Sequence, residues 1–212
     1  MTNSEYIRSG LGEIGIEINE KKLNLFLKYL DLLKKWNKKI NLTSISNDKD
    51  IILKHFIDSL SISSFIKLNK SALDIGSGAG FPGIPLLIQN PTIYLTLIES
   101  VQKKAVFLNE VRRSLDLKNL EIICSRAEDP NNGVKTRFDY VLFRAVGKIN
   151  YLLSIASIYL NSNGKVIIMK SNKVIDEIAE IKNHMFSLDE RKELNLPFSN
   201  DKRYILVFSL NK

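Results

Sequence analysis

The stretch SALDIGSGAGFPGIP, residues 71–85, places four of the chain's ten glycines within eight positions, directly after a short apolar run that reads as a buried strand. Gly76, Gly78 and Gly80 stand at alternate positions behind Asp74. Glycine there lets the chain take positive φ and removes side chains between backbone and a ligand. The spacing is not that of a dinucleotide loop, G-x-G-x-x-G, which offers a pyrophosphate a helix N-terminus. Gly76 and Gly78 fit that pattern, but Phe81 holds the third position and Gly80 comes one residue early. Glu99 ends the next apolar run, where a carboxylate can accept both hydroxyls of a ribose. After a third run, Ala127 and Glu128 of SRAED are placed to line an adenine pocket, a backbone N–H and a carboxylate being able to read the ring and its exocyclic amine.

Other residues offer less. His55 and Asp58 of KHFIDSL lie about one helical turn apart and share a face; that segment can roof the glycine loop, and a core histidine with a capping aspartate is the plainer reading. Lys170, at the end of an apolar run, can meet a nucleic-acid phosphate or face solvent. The single cysteine, Cys124, reads as a buried inert thiol. One cysteine and two separated histidines give neither a disulfide framework nor a zinc spacing, so no metal is expected.

The elements that must carry these residues divide the 212-residue chain by period. From Leu23 to Ile40 apolar residues recur at helical spacing; SEYIRSGLGEIGI before it and DKDIILKHFIDSLSISSFI after it also read as helices, the first weakened by Gly10, Gly12 and Gly15. Residues 1–69 therefore form an expected helical cap. From residue 70 to 212 short apolar runs alternate with helical stretches, the last of these being KVIDEIAEIKNHM, which predicts a parallel sheet with helices on both faces. FSLDERKEL and RYILVFSL are joined by only a short polar link and should pair antiparallel at one edge, giving seven strands in one compact unit.

The formal net charge is +8 and 23 of 31 basic residues are lysine, pointing to a polyanionic partner such as nucleic acid, or to compositional bias. Lys34, Lys35, Lys38 and Lys39 crowd one expected helix end, and Arg112 and Arg113 another, where they also suit the helix dipole. No run of about 18 apolar residues and no basic-then-apolar leader is present, so a cytoplasmic location is expected.

The pattern D-x-G-x-G-x-G resembles motif I of the Rossmann-like, class I S-adenosylmethionine methyltransferases. Beyond that, NLTSI (41–45), KHFIDSL (54–60), LDIGSGAGFPGIPL (73–86), LIES followed by KKAVFL, SRAED and FRAVG (143–147) resemble the RsmG family, also called glucose-inhibited division protein B. The resemblance runs from about residue 20 to the C-terminus. It implies an enzyme that uses S-adenosylmethionine to methylate ring nitrogen 7 of a guanine in the 530 loop of 16S ribosomal RNA; a monomer is expected, apart from the resemblance. It also implies cofactor contacts at Gly76, Phe81, Ala127, Glu128 and Arg144, beside Gly78 and Glu99 from the loop argument, with His55 and Lys170 as substrate-side candidates. Ring nitrogen 7 carries a lone pair and no proton, so no catalytic base is nominated and alignment is the main source of rate. Two other readings stand: ribose 2'-O-methylation, for which Asp139 and Lys170 supply only scattered members of a Lys-Asp-Lys-Glu set, and a non-catalytic basic RNA-binding assembly protein on the same fold.

Overall fold

The computed structural model describes residues 1–171, 174–182 and 184–211. Lys173 and Asn183, which fall in the last expected helix, lie outside them.

The N-terminal third is helical. α1 (Asn3–Glu13) starts on a capping box made by Thr2 and Glu5. Gly10 sits inside it because a Cβ there would lie 3.3 Å from the Phe198 ring and closer still to Ile57, so the residue that weakens the helix lets it approach the core. α2 (Glu20–Asn37) is capped by Asn19 and stops three residues short of the expected Ile40. The Asn37 side chain accepts from Leu42 N and Thr43 N at 2.9 and 3.0 Å and donates to Thr43 O at 2.9 Å, which turns the chain back. The expected helix over 48–66 is broken into α3 (Asp48–Ile51), a π-helical stretch (Ile52–Ile57), α4 (Asp58–Leu60) and a 3₁₀ turn (Ser63–Phe65).

The remainder is a seven-stranded sheet: β1 (Ser71–Ile75), β2 (Tyr94–Ile98), β3 (Leu120–Ile123), β4 (Phe138–Arg144), β5 (Leu160–Lys170), β6 (Phe186–Asn195) and β7 (Lys202–Leu210). Its order is β3-β2-β1-β4-β5-β7-β6, with β1 to β5 parallel and β7 antiparallel to both β5 and β6. The expected edge hairpin is therefore present, with β6 outermost. Between the strands run α5 (Gly83–Gln89), α6 (Gln102–Ser114), α7 (Ile149–Tyr159) and α8 (Val174–Ala179).

Strand side chains alternate between two cores, as the pleat requires. Ala72, Leu95, Leu97, Leu142 and Ile167 face a cluster that includes Leu30 of α2, Phe56 of the π-helical stretch, Ile84 of α5 and Phe107 of α6. Leu73, Ile75, Val141, Phe143 and Ile168 face the other, with Leu152 and Leu153 of α7 and Val174 of α8. The cap and the sheet thus share one core without a break. The parallel registers Ile75↔Ile98 and Ile98↔Ile123 bring the ends of β1, β2 and β3 level, and β1 is the strand from which the chain leaves in both directions, the position where open α/β sheets bind ligands.

Candidate active site

The glycine loop is shaped by positive φ at all three alternate glycines, +72° at Gly76, +58° at Gly78 and +96° at Gly80. The three serve different purposes. A Cβ on Gly78 would meet only Gly76 O, at 4.0 Å, so its bare side faces open space. A Cβ on Gly80 would sit 2.8 Å from the Tyr29 hydroxyl and 2.9 Å from Ile84 Cγ1. Gly80 therefore admits the cap and α5 rather than a ligand, a correction to the reading of all three as ligand-facing. Tyr29, fully buried on α2, donates its hydroxyl to Ala79 O and stacks on Phe56 at 5.3 Å; burial pushes its pKa well above the ordinary phenol value. Beneath the loop Asp74 accepts from Gly83 N at 2.9 Å. Burial pushes its carboxyl up to about 7, and its Oδ1 finds no partner among the described residues.

Glu99 follows β2 and is buried, not solvated. Its Oε2 accepts from Gly78 N and its Oε1 from Val101 N, both at 2.8 Å. Each oxygen keeps one lone pair for a further donor. Beside it a cavity of 290 Å³ is lined by Ile75, Gly76, Ser100, Ala127, Glu128 and Tyr151, among others. Glu128 accepts from the Tyr151 hydroxyl, which holds its carboxyl below the usual range. Ala127 O is fixed by Tyr159 and Asn132. A planar base has apolar walls here in Ile98, Phe143 and Ile155 and a carboxylate at the rim.

A second cleft, of 420 Å³, shares Val146 and Gly147 with the first and opens over the ends of β4, β5 and β7. Arg144 lines this one. Its Nε and Nη2 donate to Asp58 Oδ2 at 3.1 and 2.8 Å, and Nη2 also donates to Lys54 O. Arg203 of β7 donates from Nε to Asp58 Oδ1 at 3.2 Å. Asp58 is 2% exposed and serves two arginines, not a helix end, as a capping reading would have it. Lys170 is neither solvent-facing nor free for a phosphate: its side chain is 13% exposed and its Nζ donates to Gly147 O at 2.6 Å and Glu177 Oε2 at 3.0 Å. It ties the loop after β4 to α8.

His55 stacks on Phe81 with ring centroids 4.6 Å apart, and Arg144 lies 5.8 Å over the same ring. Phe81 is buried and lines neither cleft; it is the floor on which His55 and Arg144 rest. Burial first, then the Arg144 charge, lowers the His55 pKa to about 3. Nδ1 faces the Arg144 donors at 3.4 Å and can only accept there, so a neutral ring carries its proton on Nε2, which meets Thr43 Oγ1 at 2.8 Å as the donor. Cys124 is exposed, against expectation, because it follows edge strand β3; its thiol meets Gln102 Oε1 at 2.8 Å. Of the basic clusters, Lys35, Lys38 and Lys39 are exposed, whereas Lys34 pairs with Asp48 at 2.5 Å and Arg113 with Glu110 at 2.9 Å.

Sequence reasoning missed Tyr29, Thr43, Arg203 and the partners of Asp58. Tyr29 sits on an apolar helix face and carries no spacing signal; Arg203 lies 145 residues from Asp58 along the chain.

A parallel sheet with a glycine loop after β1, an acid after β2 and a cavity beyond β3 defines a class I methyltransferase fold. It superposes on M. jannaschii TYW2 in complex with AdoMet with a TM-score of 0.60 at 15% identity, covering 82% of this chain and 80% of that one. A ribosomal protein L11 methylase from Lactobacillus delbrueckii subsp. bulgaricus superposes with a TM-score of 0.57 at 14% identity, covering 79% and 81%. At these identities the likeness concerns the fold. The family model for rRNA small subunit methyltransferase G, GidB, matches residues 22–206, and the chain belongs to that family. It is 45% identical over 175 residues to the ribosomal RNA small subunit methyltransferase G of Clostridium kluyveri, covering 81% of this chain and 74% of that protein. With its Acetivibrio thermocellus counterpart it shares 39% over 207 residues, covering 93% and 84%.

Proposed function

We propose that this protein uses S-adenosylmethionine to methylate ring nitrogen 7 of a guanine in the 530 loop of 16S ribosomal RNA, as a cytoplasmic monomer that needs no metal. The observation that carries this reading is the pair of clefts joined at Val146 and Gly147, one suited to a nucleoside, the other lined by Arg144, Lys170 and Arg203. Gly76, Ala127 and Glu128 would hold the adenosine part, Glu99 the ribose, and the open side of Gly78 the methionine part. When bound, S-adenosylmethionine supplies an electrophilic methyl on a sulfonium, released as carbon bonds to nitrogen and the old bonding pair stays on sulfur.

The chain's own work is to orient. The acids lining the second cleft, Asp58 and Glu177, are both held by cations, and His55 has both ring nitrogens engaged. Among the described residues of this cleft no general base is poised, which suits a nitrogen that has no proton to lose. The 2'-O alternative loses support because Asp139 binds Ser71 and Lys70 at the start of β4. Tyr140, the residue after Asp139, pairs with Lys165 of β5, so Lys170 stands five residues, about 17 Å, further along that neighbouring strand.

A phosphate-binding surface is supported by the exposed Lys35, Lys38 and Lys39. Asn37, between them, orders Thr43, and Thr43 holds His55 over Phe81, which ties the end of α2 to the reaction side, while Lys35 stands one turn back beside Ser114 of α6. The test maps 7-methylguanosine in 16S rRNA from cells with and without the protein, with calorimetry of S-adenosylmethionine binding. Loss of one modified guanine on deletion is expected. Binding without any change in modification, or no binding at all, would leave the assembly-protein reading in its place.

A further inference from the structure

We infer that Asp58 is a positioning residue for methyl transfer, through which the helical cap holds the arginines of the second cleft; this rests on the function proposed above. The geometry starts in the π-helical stretch. Asp58 N–H reaches back to Leu53 O and His55 O and skips Lys54 O, the carbonyl an ordinary α-helix would use. Lys54 O is thereby free to accept from Arg144 Nη2. The same turn brings the Asp58 carboxylate to the arginine, so one segment of the cap grips the guanidinium by a carbonyl and a carboxylate at once. The second oxygen of Asp58 takes Arg203. Three segments far apart in the chain, cap, β4 and β7, meet on one buried carboxylate whose side chain is 2% exposed, against 14% and 18% for the two arginines.

Charge gives this arrangement a purpose beyond packing. Alkylation at ring nitrogen 7 leaves the purine positively charged, since no proton departs. A cleft walled by two uncompensated guanidinium groups would oppose the arrival of that charge, and side chains only 14% and 18% exposed are screened less than surface charges. Asp58 cancels one of the two and fixes the other against Phe81. Removing the carboxylate frees Arg144 to swing and raises the positive potential where the purine must become cationic, and a displacement of about 1 Å at such a site costs on the order of 100-fold in rate.

The test compares wild type, Asp58→Asn and Asp58→Glu on small ribosomal subunits lacking 7-methylguanosine, under single-turnover conditions with saturating S-adenosylmethionine. Alongside are measured the melting temperature, the cofactor dissociation constant and the Nε–H resonances of Arg144 and Arg203 in the ligand-free protein. Asp58→Asn is expected to stay folded, to lose the two shifted Nε–H signals, and to transfer methyl about 100-fold more slowly, with cofactor affinity changed less than about threefold. A folded Asp58→Asn with the wild-type rate overturns the inference. So does a rate loss matched by an equal loss of cofactor affinity, which would make Asp58 a prop for the cofactor loop. Should Asp58→Asn fail to fold, Asp58→Glu keeps the charge while moving it, and an unchanged rate in that variant overturns the inference as well. Absence of transfer by the wild type would count against the proposed function instead, while the Nε–H signals would still report whether Asp58 holds both arginines.

Discussion

The two halves of the cleft are built from different materials. Under the ends of β1, β2 and β3 the working surface is backbone: the positive-φ Gly76 and Gly78, two N–H groups held by Glu99, and an Ala127 carbonyl pinned by Tyr159, with Gly80 behind them against the cap. Over the ends of β4, β5 and β7 it is charged side chain: Arg144, Arg203 and Lys170 held by Asp58 and Glu177. A backbone surface is specified locally, because φ and a missing Cβ are properties of one residue. A charged surface depends on where distant segments land. The first half can therefore be damaged by single small substitutions, and the second chiefly by unbalancing a charge.

Gly80→Ala should have the largest effect. The added methyl meets Tyr29 and Ile84 at a φ of +96°, so stability should fall by about 3 kcal/mol or more, seen as a lower melting temperature. Gly78→Ala, at +58° but facing open space, should cost only about 1 kcal/mol of stability and act on S-adenosylmethionine binding. If the two variants melted alike and bound cofactor alike, the division of labour between these glycines would be wrong.

Glu99→Ala comes next. Its carboxylate steadies Gly78 and Val101 and has lone pairs left for a ribose, so calorimetry should show roughly 2 to 4 kcal/mol less cofactor binding. An unchanged dissociation constant would make Glu99 a loop brace alone.

Asp74 sharpens the comparison through pH. Burial raises its carboxyl to about 7, above the ordinary carboxylate value, so the folded state holds the proton more tightly than the unfolded one. Its contribution to stability is then fully present at acid pH and is lost as pH rises from about 4 through about 7. Thermal melts of wild type against Asp74→Asn should diverge across that window and run parallel above it. Parallel behaviour throughout would mean that Asp74 ionises as an ordinary carboxylate.

The smallest effect is expected on the exposed face. Replacing Lys35 and Lys39 with alanine should flatten the dependence of RNA affinity on salt by about 2 × 0.7 for single-stranded contacts and leave cofactor affinity untouched. Unchanged slopes would move the RNA surface toward Arg112 and Lys148, both exposed.

The sequence by itself determined the alternation of strands and helices after residue 70, the antiparallel last pair, the glycine loop and the acid that follows β2. These depend on hydrophobic period and on what single residues allow the backbone, and both are local. It misjudged Gly80, Cys124 and Lys170, whose surroundings come from other segments: α2 and α5, the edge position of β3, and α8. Only the tertiary structure decided that Asp58 of the cap would meet Arg144 and Arg203, that His55 would lie neutral against Phe81, and that Tyr29 would close over the loop. A salt bridge or a stacked ring pair leaves no mark in spacing, because either partner satisfies its own helix or strand equally well wherever the other lies; folding around a shared core is what brings them within reach.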